Sequence, residues 1–254
     1  VGFAASALGA QGGPLAVFFV VVIAVFFGKL VSKRTPIDII VTPFVTIVVG
    51  VLFAFLIAPP IGKGAVLLGD LVMKATALQP FWMGILVSAL MGIILTLPIS
   101  SAAICAGLGL VGLAGGACVA GCSAHMVGFA VSSYRENGVQ GLLSQGLGTS
   151  MLQMGNIVKN PRIWLPPTLT AAITGPVATC IFRLENGIAI ASGMGTCGLV
   201  GPIGILSWDG FGGAFHWLGL ILVCFVLPAV LTPLIALPMR RLGWIKPGDC
   251  KLDL

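Results

Sequence analysis

Five stretches of this chain are mostly apolar for the length of a membrane-crossing helix, and that feature constrains the fold more than any other. Residues 14–31 (PLAVFFVVVIAVFFGKLV) and 38–58 (DIIVTPFVTIVVGVLFAFLIA) are the clearest. About 20 apolar residues span the roughly 30 Å hydrocarbon core of a bilayer. Further spans are expected at 81–97, 163–182 and 214–239, the last interrupted by Pro228, Pro233 and Pro238. A β-barrel would instead show alternating segments of about 10 residues. Only 8% of the 254 residues are charged and 58% are hydrophobic, against roughly 25% charged in soluble domains. The expected fold is all-α: a polytopic transmembrane helical bundle, forming one domain over 1–254.

The net charge of +6 does not indicate nucleic-acid binding, because the basic residues stand at the ends of apolar runs. Three clusters hold most of them: Lys29/Lys33/Arg34, Arg135/Lys159/Arg162 and Arg240/Arg241/Lys246/Lys251. Placing all three in the cytoplasm satisfies the positive-inside rule. That placement needs odd numbers of crossings between Pro60 and Ser133 and between Glu185 and Arg240. Asp38 then reads as an interfacial counter-ion to Lys33 and Arg34. The chain opens at Val1 with a 13-residue Gly/Ala stretch lacking a signal-peptide layout, which leaves room for a native portion ahead of it.

Two runs differ from the spans. Residues 99–133 (ISSAAICAGLGLVGLAGGACVAGCSAHMVGFAVSS) and 187–206 (GIAIASGMGTCGLVGPIGIL) are rich in Gly, Ala, Ser and Cys. Small residues let helix backbones approach closely, and glycine-interrupted apolar segments point to a transporter's binding site. Both runs are therefore expected to be broken and re-entrant. Residues 62–79 carry Val66, Leu67, Leu71, Val72 and Ala75 on one face and Asp70 and Lys74 on another, the pattern of an interfacial amphipathic helix after a stop at Pro59-Pro60. An offset of 125 aligns Pro36, Gly50 and Gly62 with Pro161, Gly175 and Gly187. It allows a parallel repeat of halves near 29–150 and 154–245.

Polar groups inside such a bilayer protein are candidates for function, since a charge at its centre costs at least about 2.5 kcal/mol. His125 can donate to and accept from a solute hydroxyl, or bond a backbone carbonyl between helices. Ser144-Gln145, Thr149-Ser150, Gln153 and Asn156 share one face if 144–156 is a regular helix. Such a face suits a neutral polyhydroxylated solute, and equally a solvated surface. Glu185 with Asn186 stands at the mouth of the second Gly-rich run, where the carboxylate can accept hydroxyls or pair with Arg183. Ser100, Ser101, Ser192 and Thr196 can line a cavity with freed backbone amides. His216 reads as interfacial and Asp209 as a turn residue. Cys118 and Cys122 stand at i, i+4 but are read as small packing residues, so no metal and no cofactor is expected. The histidines are 91 positions apart with no carboxylate pair beside either, and no enzyme is expected.

KLVSKRTPIDIIVTP (29–43), LPISSAAI (97–104) and GTSMLQMGNIVKNPRIWLPPTL (148–169) resemble the EIIC-like membrane permeases of the bacterial phosphotransferase system. The branch includes perfringolysin O regulator-like membrane proteins, and the resemblance covers about 29–241. It implies a multi-pass inner-membrane permease for a small polar, sugar-like solute, homodimeric and working by alternating access with cytosolic phosphotransferase subunits. It also implies a carboxylate and a histidine on re-entrant elements at the sugar, parts that Glu185 and His125 can take. Cys250, in KPGDCKL with no soluble domain around it, is not read as a phosphoryl acceptor. Two other readings remain: a membrane-embedded sensor or regulator of the same fold, and a small-anion transporter using helix N-termini.

Overall fold

The computed structural model describes residues 13–34 and 37–252. The first 12 residues and Pro36, one of the aligned repeat positions, lie outside the described residues. The fold is an all-α helical bundle. Three of its helices, Asp38–Leu78, Gly112–Ser132 and Gly213–Arg241, are long and apolar enough to cross a membrane. The chain forms two compact units, Val1–Asp70 with Ala106–Gly109, and Leu71–Cys105 with Leu110–Leu254.

The first unit is built on α1 (Gly13–Val31) and the larger part of α2 (Asp38–Leu78). Both put small residues on one stripe. Ala16, Val20, Ala24 and Gly28 are buried on α1, and Gly50, Ala54, Ala58, Gly62, Ala65 and Gly69 on α2. A stripe at this spacing lets two backbones approach, the source of attraction available where lipid is as apolar as leucine. Val20 packs on Ala54, Phe27 stacks on Phe53 at 6.2 Å, and a Cβ on Gly28 would strike the Thr46 hydroxyl. The pairing is antiparallel. Large apolar side chains such as Phe18, Ile39, Phe55 and Leu56 face outward. Asp38 accepts from the Thr42 hydroxyl at 2.6 Å, and no ion pair joins it to Lys33 or Arg34 among the described residues.

Two expectations are corrected here. Pro59 and Pro60 do not end a span, because α2 runs through them for 41 residues, about 60 Å. No water competes for freed carbonyls in apolar surroundings, so helix remains the least costly backbone there. The expected interfacial helix at 62–79 is the continuation of α2. Val66, Leu67 and Leu71 of the expected apolar face are exposed, and the small residues Gly62, Ala65 and Gly69 are buried instead.

The second unit is organised around α5 (Gly112–Ser132), in which every residue from Ala114 to Ala130 is buried. It is packed by α3 (Pro80–Thr96), α8 (Leu165–Pro176) and α12 (Leu227–Arg241). Glycines make this possible. A Cβ on Gly116 would meet the Leu184 carbonyl, one on Gly121 the Ser88 carbonyl, and one on Gly128 the Thr232 side chain. Hydroxyls add cross-links: Ser88 donates to the Ala171 carbonyl at 2.7 Å and Thr232 to Thr170 at 2.9 Å.

The first Gly-rich run is thus less broken than its composition suggests. It contains α4 (Ser101–Leu108), one break in which Gly109 and Gly112 take φ of +63° and +62°, and then the unbroken α5. The second run is broken throughout. It contains α9 (Ala189–Ser192), a turn, a 3-10 turn at Cys197–Leu199 and α10 (Val200–Leu206). An antiparallel bridge joins the runs, with Gly112 and Asn186 exchanging backbone hydrogen bonds of 2.8 and 3.0 Å. After α10, α11 (Gly213–Ile221) leads through a π turn into α12.

The segment between α5 and α8 is interrupted too. It holds α6 (Tyr134–Leu143), a π turn at Ser144–Gly148, a 3-10 turn at Ser150–Gln153 and α7 (Met154–Lys159). Thr149 is extended, with φ −159° and ψ 143°. The single polar helical face expected over 144–156 therefore does not exist.

Candidate functional site

Three polar clusters lie in the second unit. The innermost is built on His125, fully buried in α5. Its Nδ1 lies 2.9 Å from the Thr96 hydroxyl, at the end of α3, and its Nε2 lies 3.4 Å from the Thr168 hydroxyl on α8. Thr96 is 3.1 Å from the Ser150 hydroxyl and donates to the Gly92 carbonyl, while Thr168 donates to the Trp164 carbonyl at 2.8 Å. A chain Ser150–Thr96–His125–Thr168 thus ties α3, α5, α8 and the 150–153 turn. A neutral imidazole has one donor and one acceptor nitrogen, so its bonding is complete only where one of the two threonines turns its single proton from the backbone carbonyl to the ring. Gly92 leaves the space the ring fills, since a Cβ there would strike it.

The second cluster sits where the two Gly-rich runs cross, at the start of α5. Ser101 donates to the Gly193 carbonyl at 2.6 Å and Ser192 to the Leu110 carbonyl at 2.8 Å. Asn186 is fully buried between Gly115 and Gly204; its Oδ1 accepts from the Ile188 N–H at 2.9 Å, while its Nδ2 has no partner. A buried donor without a partner costs about 1–3 kcal/mol, which makes this position a point of interest. The Glu185 carboxylate lies next to Gly112. Among the described residues it pairs with no cation, Arg183 included.

The third cluster is made of carboxamides at the far end of α5. Gln145 and Gln153 are fully buried, Gln145 donating to the Ser133 hydroxyl at 2.9 Å and Gln153 to Gln145 Oε1 at 2.9 Å. Gln153 and Asn156 also donate to the carbonyls of Cys250 and Lys251, at 3.0 and 2.8 Å. We expect Gln145→Leu to lower stability by about 2 kcal/mol, because Gln153 and Ser133 would be left buried with a missing partner. Chemical denaturation of the detergent-purified chain measures this, and a change below the error of the measurement would mean that water replaces the amide.

The sequence candidates therefore separate. His125 is thirteen positions beyond Gly112 on one helix, about 20 Å along the axis from the Glu185 carboxylate and about 15 Å from Asn186, which packs on Gly115. Ser101, Ser192, Glu185 and Asn186 are brought together, whereas Gln153 and Asn156 hold the 250–251 backbone. Ser100 is exposed and caps α4 by accepting from Ala103 N–H, and Thr149 accepts from Met151 N–H. Thr196 is buried one step from the inner cluster, donating to the Gly146 carbonyl at 2.6 Å and lying 3.7 Å from Met126 Sδ. Cys122 lies 3.6 Å from the Met91 carbonyl, and no three metal-ligating side chains gather among the described residues. Sequence reasoning missed Thr96 and Thr168, and its only signal for them was an isolated hydroxyl near the end of an apolar span.

The basic clusters of 135–162 and 240–251 meet at one end of the second unit. Arg240 lies 3.8 Å from Glu136 and donates to the Ser132 carbonyl, and Arg162 stacks over Trp244.

The family model described as "Phosphotransferase system, EIIC" matches residues 2–252, nearly the whole chain. No curated protein and no solved structure matches it. The chain belongs to the phosphotransferase system EIIC family, and is thus a membrane-embedded permease component of that system.

Proposed function

We propose that this member of the phosphotransferase system EIIC family carries a small polyhydroxylated solute, a sugar, along the surface of α5 by alternating access. The observation that carries the reading is the placement of polar groups along an otherwise apolar helix. At one end stand an unpaired carboxylate, Glu185, and a buried amide donor without a partner, Asn186 Nδ2. About 20 Å along α5 stands an imidazole held by two hydroxyls.

Glu185 and Asn186 together offer acceptors and a donor to vicinal hydroxyls, and a charge-assisted bond to a carboxylate is roughly twice as strong as a neutral one. His125 offers one of each. In the described state the hydroxyls of Thr96 and Thr168 occupy its nitrogens, standing where solute hydroxyls would bond. Moving α3 or α8 away from α5 exchanges threonine hydroxyls for solute hydroxyls, so little bonding is lost in transit. Alternating access needs two such states of similar energy. A homodimer in the bacterial inner membrane, served by cytosolic phosphotransferase subunits, is the setting the family suggests.

The test is uptake into proteoliposomes of a panel of radiolabelled hexoses, hexitols and N-acetylhexosamines, with sulfate and phosphate alongside. Uptake of one sugar class, reduced at least ten-fold by Glu185→Gln, supports the reading. Uptake of the anions alone would replace it with an anion transporter. Sugar binding seen as a thermal shift, without flux, would replace it with a sensor.

A further inference from the structure

After α12 the backbone reverses, helped by Gly243 and Gly248 with φ of +71° and +95°, and residues 244–252 fold back over the interrupted segment 134–160. What holds them is a row of carboxamides that bind backbone. Asn137 Nδ2 donates to the Cys250 carbonyl at 2.8 Å while its Oδ1 accepts from Leu252 N–H at 2.8 Å. Gln153 donates to the same Cys250 carbonyl, Asn156 to the Lys251 carbonyl and Asn160 to the Trp244 carbonyl. Glu136 accepts from Cys250 N–H at 2.9 Å, and Asp249 accepts from Asn160 and from Lys246 N–H, both at 2.7 Å. Most of these bonds read backbone rather than side chain.

Two side chains of the segment are buried, Ile245 and Cys250. They complete an apolar cluster with Phe129, Ile157, Ile163 and Met239. Phe129 meets the His125 ring edge-on at 6.2 Å, so this cluster is the floor beneath the inner polar chain. The other side is open: a cavity of about 260 Å³, lined by Asn156, Lys159, Asn160, Gly248, Asp249 and Lys251, flanks the segment. A short segment seated mostly by half-buried amides, with two apolar anchors and an open cavity beside it, belongs to the part of a protein that opens locally before the core does.

We propose that residues 244–252 are a releasable strap, which clamps the segment 134–160 onto the α5 end and must lift before that segment can move. The amides that hold the strap come from separate short elements of 134–160: Asn137 from α6, Gln153 from the 3-10 turn, Asn156 from α7 and Asn160 from the turn after it. It also gives Cys250 a role as an anchor with an inert thiol. Burial, with the Glu136 and Asp249 carboxylates beside it, pushes that thiol up to about 12. The inference does not depend on which solute is carried or on His125 binding it.

Cys250 is the reporter. The full chain in detergent micelles is treated with N-ethylmaleimide, and alkylation of the peptide carrying Cys250 is followed by mass spectrometry. Seated, Cys250 should react at least 100-fold slower than in the same protein denatured in SDS. Asn137→Ala combined with Gln153→Ala should raise the rate at least ten-fold. Because that pair can also disturb folding, Asp249→Ala supplies a second readout, as it removes only the turn bond to Lys246 N–H and the bond to Asn160 and leaves the buried Gln153 in place. In it, amide hydrogen exchange should accelerate in 134–160 and stay unchanged in 114–130. A denatured-like rate in the unaltered protein would overturn the strap. So would exchange in 134–160 that Asp249→Ala leaves unchanged.

Discussion

Gly121→Val is expected to abolish the folded protein. The helices α3 and α5 touch at this point backbone to backbone, and a Cβ on Gly121 would fall on the Ser88 carbonyl. No rotamer can relieve that contact, because the obstructing atom is not a flexible side chain. The helices must separate, and separation stretches what is locked around them: the Ser88 hydroxyl bond to Ala171 at 2.7 Å and the Thr96 contact to His125 at 2.9 Å. Overpacking costs typically about 1–3 kcal/mol when side chains can shift, and more is expected where backbone must move. Expression with size-exclusion chromatography in detergent is the check. The variant should give aggregate, whereas Gly155→Ala, with open space around the position, should elute and melt like the unaltered chain. A well-behaved Gly121→Val would mean that α5 and α3 are held less closely than described.

The second large effect is on transport. His125→Ala is expected to lower sugar uptake about 30- to 100-fold, the loss of two hydrogen bonds worth about 2–3 kcal/mol together in a water-poor site. Stability should fall too, because removing a fully buried ring leaves a cavity, but uptake should fall by more than the folded fraction does. Thr96 keeps the Gly92 carbonyl and the Ser150 hydroxyl, and Thr168 keeps the Trp164 carbonyl, so neither hydroxyl is orphaned. That asymmetry separates a solute contact from a helix spacer. Gly92→Ala approaches the same question from the other side, since its new methyl would displace the imidazole without removing it. If both variants take up sugar at the unaltered rate, His125 is a packing residue. Initial uptake rates should be read beside melting temperatures for each variant.

Much of the fold is legible in the residues. The membrane class follows from apolar run length, and the spans at 81–97, 163–182 and 214–239 coincide closely with α3, α8 and the α11–α12 stretch. Glycine was harder to read. In 187–206 it marks breaks, but in 112–132 the same density marks close packing, because α5 is enclosed on all sides and needs small residues facing α3, α8 and α12. Composition alone does not distinguish a glycine that bends from one that lets a neighbour in. Prolines misled in the opposite direction at Pro59-Pro60, where apolar surroundings keep the helix going.

For the site, residue type was informative and partnership was not. His125, Glu185, Asn186, Ser101 and Ser192 are polar groups within the second unit, as their apolar surroundings implied. Gln153 and Asn156 looked equally available to a solute, yet their amides hold residues 250–251, nearly a hundred positions away. The sequence by itself determined that this chain belongs in a bilayer, where its long apolar runs lie and where its basic residues cluster, because those properties are sums over local runs of side chains. Which polar groups are free, which are mutually satisfied, and which lie 20 Å apart along one helix was decided only by tertiary structure. A hydrogen bond depends on both partners and on their separation in space, and no single position carries that information.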